Sequence, residues 1–572
     1  MPRRMRFRDP HTGERGAILI ISTIILTTMI ALAGFAVDFT RWSREGTLEQ
    51  RAADAAALAG AVYMPDNFSG AQTAALAIAA KNGFTNGTNR TTVTVARGVR
   101  SNQVRVTITR TLTNMFGMIV GAKETTITKD SLAEYQRAVN MGSPSNQFGN
   151  NPEATTYDAT TYPNFWGSIS GPNTNKVQGD AVSAKPCSSS GTSASDNCAS
   201  SLNTEYDAKG YFYGVDLQAG FTGPLTIDAF DPAFVEVGSL CGTNTNGSNL
   251  TGAAALTAAQ VVQYPTSTIT PATRYNTPAS SKYCTGDQTY DGGGSTPVWT
   301  TYVVRRPDAS PWDPTDNPVL CSVEFPGYTG DIRTALQQAS PLTNAPTYFA
   351  RYFRQWYTLC TINTPEVGTY FVQITTALKA DGSAAPNGHG QNRFALRARL
   401  NGLDSTLAHT YGEGRMSIFA NFPGTTAVLP LARILPGASG RTIELSLFDA
   451  GDLQGTGSIQ IKPAPDATNG GSPLTAFSGC TYTQPPGNAT GPPWGTFTNT
   501  GSNCTLTSVS SSTYQGDWVS VRIPIPSTYS CNTASAAGCW ASVNYSFASA
   551  TSVTDTTTWT ARIRGIPVRI IE

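Results

Sequence analysis

The sequence predicts an α+β and all-β protein: an N-terminal transmembrane helix continuing into a small α+β head, followed by two disulfide-bearing β-sandwich domains. Three observations carry this reading. An uncharged apolar run of 21 residues stands near the start, period-two alternation dominates after residue 90, and all ten Cys fall between Cys187 and Cys539. A chain of 572 residues is too long for one hydrophobic core. Only 13% of it is charged and the net charge is +1, which offers no electrostatic footprint for nucleic acid.

The apolar run is Ala17 to Val37, AILIISTIILTTMIALAGFAV. At about 1.5 Å per residue it spans ~31 Å, the thickness of a bilayer core. Arg3, Arg4, Arg6, Arg8 and Arg15 precede it with only Asp9 and Glu14 opposing, and such flanks stay cytoplasmic. A cleaved signal peptide would have a shorter core of ~7–15 residues. Here Trp42, Leu48, Ala52, Ala55, Ala56 and Ala59 recur at three- and four-residue steps, so one helix continues to about Ala61, with Gly34 and Gly46 as its weak points. Next, AQTAALAIAAKNGF reads as a short helix stopped at Asn82-Gly83. TTVTVA and VRVTITRTL form a hairpin, NMFGMIVG a short helix and ETTITKDSLAEY a third strand.

The order Arg15-Gly16, apolar span, Val37-Asp38, then Leu48, Gln50 and the run AADAAALAGA (52–61) resembles the N-terminal region of the TadE/TadG-like proteins of tight-adherence (Flp) pilus systems, over about residues 14 to 136. The resemblance implies a pseudopilin-like or pilus-associated envelope protein with a pilin-like head. Its implied partners are the lipid bilayer and other pilus-assembly or pseudopilin components. Two departures matter. Prepilin peptidases leave a Glu five residues into the mature chain, and cutting after Gly16 would put Ile21 there, so an uncleaved anchor is expected. Some large relatives carry a von Willebrand A-type domain with a DxSxS metal motif. The nearest string here, Asp381-Gly382-Ser383-Ala384-Ala385, lacks the second Ser, and that domain is not expected.

Residues 137–204 are rich in Ser, Asn and Gly and read as a linker. Beyond it a weak repeat organises the chain. GPLTIDAFDPAF, with Leu225, Ile227 and Phe230-Asp231, resembles GRTIELSLFDAGD, with Ile443, Leu445 and Phe448-Asp449. Phe394 to Arg399 likewise resembles Trp559 to Arg564. The alternation means half-buried strands. The chain then divides into a cytoplasmic basic flank (1–16), the transmembrane helix (17–37), the head (38–136), the linker (137–204) and sandwiches at 205–402 and 403–572. An even Cys count fits disulfides in an oxidising exterior. Pairing is not encoded in the spacing, and neighbours in order are the plainest choice: Cys187 with Cys198, Cys241 with Cys284, Cys321 with Cys360, Cys480 with Cys504 and Cys531 with Cys539.

Catalytic signatures are missing: the sequence has no G-x-S-x-G, H-E-x-x-H or phosphate-loop string. His11, His389 and His409 read as surface or loop residues, and the aromatic runs TYFARYFRQWYTLC and KGYFYGVDL mostly as core. The expectation is a non-enzymatic protein without a cofactor, anchored in the plasma membrane with its later domains outside, serving pilus assembly or surface adhesion toward an unidentified ligand. Asp228, Asp231, Asp313, Asp316, Asp449 and Asp452 stand at turn-rich strand ends and are calcium candidates, although Asp in such strings also simply makes turns. The alternatives are an anchored or secreted polysaccharide-acting enzyme, which needs converging carboxylates, and a calcium-stiffened adhesin.

Overall fold

The computed structural model describes residues 14–64, 68–98, 103–135, 139–154, 164–187, 202–239, 282–283, 285–290, 296–308, 314–329, 352–423, 426–450, 456–483, 497–499, 503–510, 514, 516–547, 552–564 and 568–570. They fall into two units, and the second, residues 138–308 and 313–565, is inserted between Arg137 and Ile566 of the first.

The first unit is built on α1 (Glu14–Ala61), 48 unbroken residues, about 72 Å of helix. Gly34 and Gly46 do not interrupt it. A Cβ added at Gly34 would lie 2.8 Å from the Phe116 ring, and one at Gly46 would lie 3.5 Å from the Lys129 side chain, so both glycines admit neighbours. The N-terminal stretch of α1 is bare, with Ile18 to Val37 exposing their large apolar side chains. Its C-terminal half instead buries Ala52, Ala53, Ala56, Ala57 and Ala61. These small residues let α2 (Phe68–Lys81) come close through Ala71, Ala75 and Ala79, and a Cβ on Gly60 would stand 3.1 Å from the Ala71 carbonyl oxygen. The Asn82-Gly83 stop is a Schellman cap: Gly83 sits at φ +93°, and the N–H groups of Gly83 and Phe84 donate to Ala80 and Ala79. Strands β1 (Thr91–Arg97), β2 (Gln103–Thr113) and β3 (Glu124–Tyr135) form an antiparallel sheet in that order. Its fourth strand is Val568–Ile570, which pairs with β3. The chain's last strand therefore belongs to this unit and not to the second sandwich assigned from the sequence.

The second unit contains two large sheets. Its strands are β4 (Asn164–Ser170), β5 (Tyr211–Leu217), β6 (Leu225–Phe230), β7 (Thr300–Arg305), β8 (Val319–Phe325), β9 (Trp356–Ile362), β10 (Gly368–Thr375) and β11 (Gln391–Leu400). A second set follows: β12 (Arg415–Pro423), β13 (Thr426–Arg433), β14 (Thr442–Phe448), β15 (Gly457–Lys462), β16 (Thr505–Val509), β17 (Trp518–Pro524), β18 (Trp540–Ser546) and β19 (Ser552–Ile563). One sheet runs β9-β6-β11-β4-β12-β19-β14-β17, and the other joins β8-β7-β10-β5 to β13-β18-β15-β16 through the short strands Ala408–Glu413 and Asn140–Met141. Numbered within each set of eight, the orders are 1-8-3-6 and 2-7-4-5 both times, the double Greek key of a jelly roll. The two first strands, β4 and β12, pair antiparallel at the seam. Across the layers Tyr213 meets Phe394 at 5.8 Å in the first roll, and Tyr545 meets Trp559 at 6.1 Å in the second.

The sequence-based start of the first sandwich is corrected. The first roll begins at Asn164, inside the stretch assigned as a linker, where Trp166, Ser168, Ile169 and Ser170 are buried. Asp180 pins that stretch: its carboxylate accepts the N–H groups of Ser170, Val182 and Ser183 at 2.8–3.0 Å and the Tyr211 hydroxyl at 2.7 Å. The two rolls divide in the chain between Leu400 and Arg415, where the sequence set its boundary at 402/403, but they share both sheets and form one compact unit.

Candidate functional site

Where the bare part of α1 ends, the β2–β3 connection closes on it. Asp38 is buried, and its carboxylate accepts the N–H groups of Met115 and Phe116 at 2.9 Å and of Gly117 at 2.7 Å. An anion at these amides acts as a cap does at a helix start. Arg41 stands 3.9 Å from it, and the Trp42 indole donates to Asn114 Oδ1 at 2.9 Å. Asn114 passes the contact on, donating to the Ala122 carbonyl and Thr125 hydroxyl at 3.0 Å each. The sequence marked Asp38 as the end of the span and as part of the family resemblance, without a structural role. Its three amide partners lie 77 to 79 residues away and left no local signal.

Three turns further along α1, Glu49 is fully buried and neither carboxylate oxygen has a hydrogen-bond partner. Burial, and then the neighbouring Glu45 charge, push its carboxyl up to about 7, with Arg110 and Lys129 opposing. Arg110 is committed to Glu45, with which it forms an ion pair.

In the second unit the repeated motif makes the same turn twice. Asp231 and Asp449 both have positive φ, +51° and +59°, and their N–H groups donate to Gln355 and Asp517 at 3.0 Å. Their carboxylates accept the N–H groups of Arg354 at 2.8 Å and Gly516 at 2.5 Å. The following Trp356 and Trp518 pack on Phe230 and Phe448 at 5.5 and 5.4 Å. Each third strand also carries a buried carboxylate clamped by its neighbours: Asp228 by Arg397 and Arg399, Glu444 by Arg522 and Arg562. The pairing register sets Arg399 opposite Thr226 and Arg562 opposite Glu444. Since Phe230 and Phe448 are equivalent, the motifs 394–399 and 559–564 are offset by two residues from the alignment read in the sequence.

Asp228, Asp231 and Asp449 thus already have protein partners. Asp316 is exposed, while Asp313 and Asp452 lie outside the described residues. Among the described residues no group of three or more His, Cys, Asp or Glu side chains is placed to hold a metal. Disulfides join Cys321 to Cys360, Cys480 to Cys504 and Cys531 to Cys539. Cys187 is disulfide-bonded, and Cys198, Cys241 and Cys284 lie outside the described residues. Of the aromatic runs, Tyr211, Tyr213, Tyr352 and Phe353 are core.

A cavity of about 600 Å³ in this unit is lined by Asn146, Gln218, Asp404, Leu407, His409 and Ser535, among others. His409 is only 8% exposed, a correction of its surface reading, and its Nδ1 lacks a partner. Burial, with the Arg433 charge, holds its imidazole below the ordinary range although Asp216 opposes. His11 lies outside the described residues, and His389 is half-buried.

Residues 16–62 match the Tad family model, described as Flp pilus-assembly TadE/G-like. The match covers α1 from Gly16 and ends one residue beyond it. No curated protein matches the chain. The apolar window of α1, with mean hydropathy 2.4 and 6% buried, has the length and composition to cross a membrane. The chain thus carries a TadE/G-like Flp pilus-assembly segment over residues 16–62, on a helix long and apolar enough to cross a membrane, followed by disulfide-bearing β-sheets.

Proposed function

We propose that the chain is a single-pass envelope protein of a tight-adherence pilus system, with its N-terminus in the cytoplasm. Its head and jelly rolls are displayed outside the membrane for assembly or adhesion contacts. The observation that carries this is the continuity of α1: one unbroken helix is bare and apolar at one end and forms a wall of the head core at the other. A long helix packed on a small antiparallel sheet supports the pilin-like reading of the head. The arginine-rich flank supports the orientation, and the disulfides of the second unit support an oxidising compartment.

The reading requires no catalytic residue and no cofactor. A polysaccharide-acting enzyme would need two carboxylates across one cleft, whereas Asp404 is the single carboxylate among the described residues lining the cavity. Deleting residues 17–37 should release the protein from the membrane fraction and abolish its co-purification with the other pilus-assembly components. A deletion variant that stays membrane-bound, or a full chain that never co-purifies with them, would remove the reading.

A further inference from the structure

The connection from Asn114 to Ala122 exposes large apolar side chains: Met115 is 59% exposed, Phe116 40%, Met118 52% and Ile119 80%. Four such residues on one short turn form a patch that a water-facing loop would not carry. The patch adjoins the membrane helix. Phe116 lies on Gly34, one helical turn, about 6 Å, back into the apolar run from Asp38. The loop therefore reaches the level of side chains assigned to the bilayer.

Backbone at that depth must have its polar groups satisfied by the protein. Asn114 N–H donates to the Lys123 carbonyl at 3.0 Å, and the next three amides are taken by the Asp38 carboxylate. Ile119, Gly121 and Ala122 donate to Phe116, Met118 and Gly117 at 3.0, 3.3 and 2.9 Å. A buried carboxylate that closes three amides against lipid explains Asp38 at this point better than a water-facing turn does. Above it stand Trp42, Arg41 and Lys123, the aromatic and basic residues that collect at headgroup level.

We propose that the β2–β3 connection is a second membrane contact, an apolar wedge that inserts Met115, Phe116, Met118 and Ile119 among the acyl chains beside α1. The proposal rests on α1 spanning the bilayer. A single helix leaves the head free to rotate about its axis. Two contacts fix which face of the head looks along the membrane, and hence which face meets neighbours in an assembly.

The test uses the full chain, one copy per phosphatidylcholine–phosphatidylglycerol nanodisc. An environment-sensitive fluorophore is attached at Ile119→Cys, at Ile25→Cys in the span, or at Thr94→Cys on β1. The described native cysteines are not free, and the unsubstituted chain taken through the same labelling sets the background. Met118→Cys serves as a second loop site should the first variant misfold. The expected result is blue-shifted emission at Ile119→Cys, quenched by acyl-brominated lipid to at least half the extent seen at Ile25→Cys, with Thr94→Cys unquenched. A loop label that behaves like Thr94→Cys while Ile25→Cys is quenched would overturn the wedge and leave the anchor standing. Blue-shifted but unquenched loop emission would mean a protein occupant and would overturn it equally. Labels in water at both Ile25 and Ile119 would defeat the anchor itself.

Discussion

Replacing Glu49 by Gln should stabilise the first unit, and the gain should depend on pH. Glu49 is fully buried with no partner for either oxygen, and its carboxyl is raised from 4.5 to about 7. An acid with a raised folded pKa binds its proton more tightly when folded. Stability therefore falls as pH rises from about 4.5 to about 7 and stays low above. At 1.36 kcal/mol per unit the ceiling on the loss is about 3 kcal/mol. Gln mimics the protonated acid in shape and polarity, so it should recover up to that amount at pH 8 and less than about 1 kcal/mol at pH 5. Hydrogen–deuterium exchange localises the effect to the unit. At pH 8, peptides from β2 and β3 should exchange up to about a hundredfold more slowly in Glu49→Gln than in wild type, with little difference at pH 5. Equal protection at pH 8, or faster exchange in the variant at both pH values, would show that Glu49 is hydrated or paired and refute the reasoning.

Asp38→Asn keeps the shape but weakens the anionic acceptor, so amides 114–122 should exchange faster while those of the second unit stay unchanged. Glu444→Ala leaves Arg522 and Arg562 facing one another. Those arginines are partly solvated, so the cost should be about 1–3 kcal/mol in urea unfolding, less than for a fully buried pair. Glu444→Gln should cost less than Ala. Cys321→Ser opens a disulfide spanning 39 residues and should lower the stability of the second unit by up to about 4 kcal/mol from loop entropy.

Much of the first unit was legible because its elements are local. The apolar run, the alanine stripe, the Asn82-Gly83 stop and the alternation of β1 to β3 each follow from spacing within a few turns. The Phe-Asp repeat was visible for a similar reason, since a positive-φ Asp followed later by Trp fixes the same turn in both rolls. What escaped notice depended on distant partners or on unusual packing. The strand NFWGSIS lacks an aliphatic alternation, and it packs through Trp166 and through Gly167, where a Cβ would lie 2.6 Å from the Phe394 ring. Composition alone therefore resembled a linker. The closing strand of the head is three residues long and meets its partner more than 430 positions away. Glu49 sat in a charged stretch of the helix and gave no sign of burial, and His409 read as a surface or loop residue until the rolls closed around it.

The central claim is that α1 holds the rest of the chain on the far side of the membrane from its basic flank. Protease added to intact spheroplasts carrying epitope tags before Met1 and after Glu572 tests it most directly. The account predicts that the C-terminal tag is lost while the N-terminal tag survives until lysis. A C-terminal tag protected until the cells are broken open would contradict it.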